Sequence, residues 1–313
     1  MMGDSFSSDL TCANPGVRRG IYDGEAVLFA VTPAGMFPMR ITLADALAGG
    51  VSYLYREFDA ACESSPVIAD VTLLPTVDVQ EVWASGLTYE PSREARVAES
   101  SSKDVYDLVY TAARPELFFK APAWRVPPAD APLRIRGDSE WDVPEPELGL
   151  VFTAAGELAG YVVGNDMSSR SIEGENPLYL PQAKLFDDSV GLSDTIVLAR
   201  SCPRGDAMSI TLTIRRQGAV VFADSTSTVH MRRSFTELRD YLFRELSFPH
   251  GVVLLTGTGI VPPVGFSLLP DDEVDISISG VGRLQHGIYR RPSNSVSMKV
   301  RDPESGSRSS ESH

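Results

Sequence analysis

The sequence predicts an α+β fold, mainly β, in a chain of 313 residues. Three observations carry this. Segments of β-branched and aromatic residues outnumber helical patterns throughout the core. These strands do not alternate with helices, which argues against a run of βαβ units. Residues 141–184 read as a β-hairpin followed by a long polar loop, and the rest of the chain is organised around them. With 43% hydrophobic content, the chain can bury one large core, or one core plus a small domain. The expected division is a small N-terminal α+β domain over 1–75, a β-rich main domain over 76–290, and a disordered Ser-, Pro- and charge-rich tail over 291–313.

Taken in order, residues 1–17 form a polar, Gly- and Pro-containing leader, and 26–32 read as a strand. Residues 42–47 read as a short helix capped by Thr42 and stopped by Gly49 and Gly50, and 53–62 as a second helix. Strands are expected at 71–77 and 81–89. The charged segment 91–113 carries Val97, Val105, Leu108, Val109 and Ala112 at helical spacing, broken at Ser100 to Ser102, and reads as a helical pair suited to a mobile lid. A strand at 117–120 precedes Pro122, Pro127, Pro128 and Pro132, whose density argues against helix, and a short strand follows at 133–136. Beyond the central hairpin, strands are expected at 195–199, 209–215 and 219–223, the last two turning at Gln217 and Gly218. Ser234 and Glu237 make a capping-box pattern ahead of a helix with an apolar stripe of Phe235, Leu238, Tyr241, Leu242 and Leu246. Residues 252–255 read as a buried strand, 273–279 as an alternating one, and 280–284 as its return.

The central hairpin places acids close together. Val151, Phe152 and 161–163 supply two strands, and 154–157 the turn. With Ala155 and Gly156 as a two-residue loop, opposed residues sum to 311, so Glu145 lies across from Asp166 and Glu147 across from Gly164. Side chains alternate faces with period two, so Glu145, Glu147 and Asp166 share a face. Their mutual repulsion is relieved by a hard divalent cation, for which Gly164 would leave room. A three-residue loop would break this parity. The same spacing also suits an acidic edge strand guarded by Pro144 and Pro146.

Composition narrows the partners. A net charge of -14 with no basic run argues against nucleic acid and anionic membranes. Cys12, Cys62 and Cys202 are far apart and form no zinc ligand set, so reduced thiols in a cytoplasm are expected. No apolar run reaches membrane-spanning length, and the N-terminus lacks an export signal.

Several sequence words are collinear across the last three quarters of the chain: RPELFFKA at 114–121, DSEW and PEPEL within 138–148, GNDMSSR at 164–170, ENPLYLPQAK at 175–184, MRR at 231–233 and TGTGIVP at 256–262. Together they resemble the fumarylacetoacetate hydrolase superfamily, and within it the 2-keto-3-deoxy sugar-acid dehydratases. The resemblance implies a mixed β-roll core. It also implies metal carboxylates at Glu116, Glu145, Glu147 and Asp166, a catalytic lysine at Lys184, and a homodimer or homotetramer. The expected reaction is metal-assisted dehydration of a small 2-keto acid through an enolate at C3 and loss of the C4 hydroxyl.

Mg²⁺ is the first choice of ion because every proposed ligand is an oxygen, with Mn²⁺ and Ca²⁺ as the other hard ions considered. Lys184 suits acid/base work, or orients the substrate, or only pairs with Glu145 or Glu147. Glu116 is a second catalytic candidate, or a solvated strand-end acid. Thr256, Gly257 and Thr258 could offer hydroxyls and backbone N–H groups to the substrate carboxylate, or form a plain strand-to-loop turn. Arg170 and Gln182 are candidates for the distal substrate groups, and Arg170 also reads as a structural ion pair.

Two departures from the superfamily stand out. Tyr89 is followed by Glu90, Pro91 and Ser92, where hydrolytic relatives carry Tyr-x-x-His, which favours dehydration over water-driven C–C cleavage. Ser171 stands where the superfamily usually has Asp. A diketo-acid hydrolase or decarboxylase remains the alternative enzyme class, and a non-catalytic binding module the third reading.

Overall fold

The computed structural model describes residues 14–67, 71–99, 108–202 and 207–291. Its largest element is an eleven-stranded sheet. In spatial order the main path runs through Gly35–Pro38, Glu25–Thr32, Gly16–Tyr22, Thr195–Leu198, Leu158–Asp166, Pro146–Phe152, Val252–Leu255, Glu81–Gly86 and Glu116–Ala121. Pairing is antiparallel except between Val252–Leu255 and Glu81–Gly86. A second, five-stranded sheet holds Ala219–Ser227, Ser209–Arg216, Glu273–Ile278, Gly282–Arg290 and Leu133–Ile135. This is the mainly-β, α+β architecture that the strand-rich pattern predicts.

The central hairpin is buried on both faces because the pleat sends alternate residues to two cores. Leu148, Leu150 and Phe152 face the five-stranded sheet, meeting Ile210, Leu212 and Ile276. Val151 and Val162 face the other way, toward the helices Leu43–Ala48 and Val51–Cys62, through Leu43, Leu47 and Leu54. The first helix begins as predicted: Thr42 accepts from the Asp45 N–H while the Asp45 carboxylate accepts from the Thr42 N–H. The N-terminal segment therefore shares its sheet and core with the main part of the chain. Its strand Gly16–Tyr22, which falls partly within the expected leader, pairs with Thr195–Leu198 and seats Arg18 against Asp194 at 3.1 Å.

Other expectations shift in detail. Regular pairing over 71–77 is confined to Thr72–Leu73, and the strand expected at 81–89 ends at Gly86, before Leu87 at φ 52°. Of the 91–113 segment, Glu90–Glu99 is helix and 108–111 make a further helical turn, while 100–107 lie outside the described residues. Helix Phe235–Leu242 starts at its Ser234 cap, and Leu246 lies exposed beyond its end. The loop expected after the hairpin is instead short helical segments, Arg170–Glu175, Pro177–Tyr179 and Leu180–Lys184. Side-chain caps from Ser169 and Asn176 start the first two. The leader through residue 13 and the tail from 292 lie outside the described residues.

Candidate metal and active site

The hairpin register at the site matches the parity argument, although it is reached differently. Glu147 pairs with Gly164 and Pro146 with Asn165, and the Asp166 N–H donates to the Glu145 carbonyl at 3.0 Å. At the turn, however, Phe152 pairs with Leu158 and the Thr153 N–H donates to the Glu157 carbonyl, leaving a three-residue loop that ends on Gly156 at φ 74°. A bulge between Leu158 and Gly160 inserts the residue that restores the sum of 311. Gly160 tolerates this because its bare Cα lies against the Thr195–Leu198 strand: a Cβ there would sit 2.4 Å from the Val197 carbonyl oxygen.

Glu145, Glu147 and Asp166 are all buried, and one ligand oxygen from each lies within 4.8 Å of the others. Three carboxylates this close cannot all stay ionised without positive charge. Burial, then Asp166 and Glu145, push the Glu147 carboxyl well above its ordinary range. Its Oε2 accepts the Gly257 N–H at 2.6 Å. Gly164 does not provide the expected space for an ion, since a Cβ there would meet Leu255 Cδ2 at 2.5 Å.

Cations surround the acids. Lys184 Nζ lies 2.7 Å from Glu145 Oε2 and 3.2 Å from Asp166 Oδ2, and donates to Ser168 Oγ at 2.6 Å. Arg170 reaches Glu145 Oε1 at 3.0 Å and Glu173 Oε2 at 3.5 Å. Lys120 Nζ lies 2.5 Å from Asp166 Oδ1 and donates to the carbonyls of Met167 and Lys184 at 3.0 and 2.5 Å. Burial pushes the Lys120 ammonium down, while Asp166 holds it up. Among the described buried side chains of the cluster, with every group ionised, Glu145, Glu147, Asp166 and Glu173 against Lys120, Arg170 and Lys184 give four negative and three positive charges, a net of -1. A divalent ion would bring the cluster to +1, which a monoanionic ligand neutralises. The oxygen-only donor set, the burial and the raised Glu147 carboxyl fit a hard divalent metal.

The residues predicted as substrate contacts behave differently from one another. Glu116, Glu145, Lys184, Gly257 and Thr258 line one small pocket, joined by Phe118, whose ring lies 5.6 Å from Lys184 Nζ. Glu116 extends over Gly86, where a Cβ would come within 2.2 Å of its Oε2. The Gly257 N–H is committed to Glu147, and Thr256 donates its hydroxyl to the Leu148 carbonyl at 2.9 Å. These two groups therefore hold the site wall rather than present donors to a ligand. Gln182 is exposed and does not line the pocket; its carbonyl accepts from Arg136 at 2.9 Å. Ser171 does not touch Arg170 in the hydrogen-bond network; it joins Ser139 and Ser169 in a hydroxyl cluster beneath the helix start.

Lys120, Asn165 and Glu173 also join the site, although the sequence pattern does not single them out as site residues. Asn165 Oδ1 accepts the Glu145 N–H at 3.0 Å, and its amide meets His286 Nε2 at 2.9 Å. Burial lowers the His286 imidazole to about 4, so it stays neutral as a structural partner. Lys120 was detectable as a lysine inside an apolar strand word, a pattern that demands a buried partner.

A sheet-rich fold carrying buried carboxylates, a lysine amine and a pocket defines a class of metal-assisted enzymes. The chain belongs to the fumarylacetoacetate hydrolase family: the profile described as Fumarylacetoacetate (FAA) hydrolase C-terminal matches residues 81–289. It is 50% identical over 213 residues to a probable 2-keto-3-deoxyxylonate dehydratase of Haloferax volcanii, covering 68% of this chain and 73% of that one. It is 40% identical over 228 residues to the 2-dehydro-3-deoxy-D-arabinonate dehydratase of Saccharolobus solfataricus, covering 72% and 76%. A solved 2-keto-3-deoxy-D-arabinonate dehydratase, complexed with magnesium and 2,5-dioxopentanoate, superposes with a TM-score of 0.76 at 33% identity, over 88% of this chain and 99% of that one.

Proposed function

We propose that the chain is a divalent-metal-dependent hydro-lyase that dehydrates a 2-keto-3-deoxy pentonate, such as 2-keto-3-deoxy-D-arabinonate, to 2,5-dioxopentanoate. The observation that carries this is the buried Glu145, Glu147 and Asp166 cluster with the Lys184 amine against it. The named activities of the similar dehydratases support the same substrate class.

Glu145, Glu147 and Asp166 would hold the ion, with Mg²⁺ preferred over Mn²⁺ and Ca²⁺ for an all-oxygen site. When bound, the ion supplies positive charge that acidifies the C3 protons of a 2-keto acid. Lys184, held by Ser168 and Glu145, would lose its proton more readily beside a bound cation, and as the neutral amine it is positioned to take the C3 proton. Glu116, in the same pocket, is the candidate to return a proton to the departing C4 hydroxyl, which leaves as water. A proton shift from C5 to C3 then turns the unsaturated product into the C4–C5 enol, which gains a proton at C4 and loses the one on its C5 hydroxyl to give the C5 aldehyde.

Water-driven C–C cleavage is less well supported. Among the described residues, no histidine lines the pocket, and Tyr89 is buried with Glu90, Pro91 and Ser92 following it. The deciding test is an assay of purified protein with Mg²⁺ against 2-keto-3-deoxy acids and acylpyruvates. Water loss from the former supports the proposal; cleavage of the latter alone overturns it.

We further propose a homodimer or homotetramer. The described structure leaves the edge strand Ala219–Ser227 exposed, with Val220 and Val221 facing solvent. Sedimentation that finds a monomer at micromolar concentration would contradict this. Among the described residues, no helix is long and apolar enough to cross a membrane, and Cys62 and Cys202 are free thiols, which suits a cytoplasmic setting.

A further inference from the structure

Glu145 stands between Pro144 and Pro146, so it carries the single backbone N–H of that segment. Across an antiparallel pair, Glu145 and Asp166 would exchange two backbone bonds. They make one: the Glu145 carbonyl accepts the Asp166 N–H at 3.0 Å, while the Asp166 carbonyl accepts the Ser168 hydroxyl at 3.0 Å. The Glu145 N–H donates instead to a side chain, Asn165 Oδ1, at 3.0 Å. Asn165 points to the opposite face of its strand from Asp166, into the core shared with the five-stranded sheet. There its amide meets His286 Nε2 at 2.9 Å and, more weakly, Met167 Sδ at 3.4 Å. His286 lies on the buried face of Gly282–Arg290 with Leu284 and Ile288, and its Nδ1 is 3.1 Å from the Gly287 carbonyl oxygen.

We propose that His286 and Asn165 are positioning residues for the metal ligand Glu145: His286 fixes the Asn165 amide, and Asn165 holds the Glu145 backbone where its two flanking prolines offer no donor. This role rests on the metal site proposed above and goes beyond it, since it ties a ligand on one face of the main sheet to a residue of the second sheet. One arrangement of protons satisfies every contact. A carbonyl only accepts, so Nδ1 carries the imidazole proton and Nε2 keeps its lone pair. Nε2 and Sδ then take the Asn165 NH₂ group, which turns Oδ1 toward the Glu145 N–H. Turned over, the amide would set its oxygen against the Nε2 lone pair and its NH₂ against the Glu145 N–H, losing both bonds in a buried place. Without the acceptor at 286, nothing but the thioether favours the working orientation, and Glu145 is left with one of its two cross-strand bonds.

The test measures Mg²⁺ affinity of the full chain by calorimetry, which needs no turnover, with thermal melts to establish that each variant is folded. His286→Leu keeps apolar volume beside Leu284 and Ile288 but removes the acceptor, and should weaken Mg²⁺ by roughly tenfold or more, the usual scale for residues that orient a metal ligand. His286→Gln returns an acceptor to the place of Nε2 and should bind Mg²⁺ close to the wild-type level. Imidazole nitrogen shifts of the wild type, assigned by the resonance lost in His286→Gln, give a second readout that does not depend on the Leu variant folding: the proton should sit on Nδ1. Wild-type affinity in folded His286→Leu, a His286→Gln as weak as His286→Leu, or a proton on Nε2 overturns the relay alone. A wild type that binds no divalent ion would instead overturn the reading of the carboxylate cluster as a metal site, and the relay with it.

Discussion

Lys184 Nζ touches Glu145, Asp166 and Ser168 at once. If it transfers the C3 proton, Lys184→Met should lower turnover by roughly 10²-fold or more, the usual scale for general acid/base catalysis. Metal affinity should persist or rise, because one cation leaves the carboxylates. Solvent deuterium exchange at C3 of a bound ketoacid isolates the step, and wild-type exchange in the variant would exclude Lys184 as the base. Glu147 makes a separate prediction. Its carboxyl is raised, so metal binding should displace a proton from it. Calorimetry in buffers of different ionisation enthalpy should detect that release, and Glu147→Gln should abolish it while weakening the metal. Lys120 is a different case, since it is fully buried and ties Asp166 to two carbonyls. Removing one partner of a buried pair costs about 3–5 kcal/mol, so Lys120→Met should lower the melting temperature by roughly 10 °C. An unchanged melting temperature would show that Asp166 finds another partner.

At the scale of elements, the strand end at Leu255 and the turn at Gly257 fix the far wall of the site. Gly257 has φ 87°, and a Cβ there would lie 2.1 Å from Thr88 Oγ1 and 2.9 Å from the Ser85 carbonyl oxygen. Gly257→Ala should therefore cost stability and shift the N–H that holds Glu147. Thermal melts and Mg²⁺ titration of that variant should both move. A change in melting temperature with wild-type metal affinity would mean that the Gly257 hydrogen bond does not position Glu147. The hairpin shows how much of such geometry was legible. Glycine at the third loop position marks the three-residue turn, but nothing local marks the bulge before Gly160. That bulge forms because the neighbouring strand Thr195–Leu198 approaches closely, a contact between residues far apart in sequence.

Over the whole molecule, two buried groups give stability opposite dependences on pH. The folded His286 value of about 4 lies below the ordinary 6.5, so the unfolded chain takes up the proton first as pH falls. Its contribution is present above pH 6.5 and is lost toward pH 4, amounting to roughly 3 kcal/mol. The raised Glu147 carboxyl works the other way: its contribution is present below the ordinary 4.5 and is lost as pH rises through the folded value. Metal-free protein should thus lose part of its stability on the alkaline side, and the gain in melting temperature on adding Mg²⁺ should grow with pH. Melts from pH 5 to 8, with chelator and with Mg²⁺, check this; a gain that does not vary with pH would show that Glu147 is already ionised without metal.

By itself the sequence determined the mainly-β class and the capped helices at Thr42 and Ser234, and it placed Glu145 and Glu147 on one face; that Asp166 joins them depends on the bulge before Gly160, which the tertiary contact with Thr195–Leu198 sets. Class, caps and strand alternation are set by period and capping chemistry, which act over a few residues. Tertiary structure decided which charges neutralise those acids and which polar groups remain for a ligand. Lys120 arrives from a strand 46 positions before Asp166, and the Gly257 N–H is taken by Glu147 from 110 positions away. It likewise carried Gln182 to the surface, brought Glu173 to the pocket wall and drew the N-terminal strands into the main sheet. The physical reason is burial: a charge withdrawn from water must find its partner wherever the fold supplies one, and that partner is set by packing rather than by neighbours in the chain.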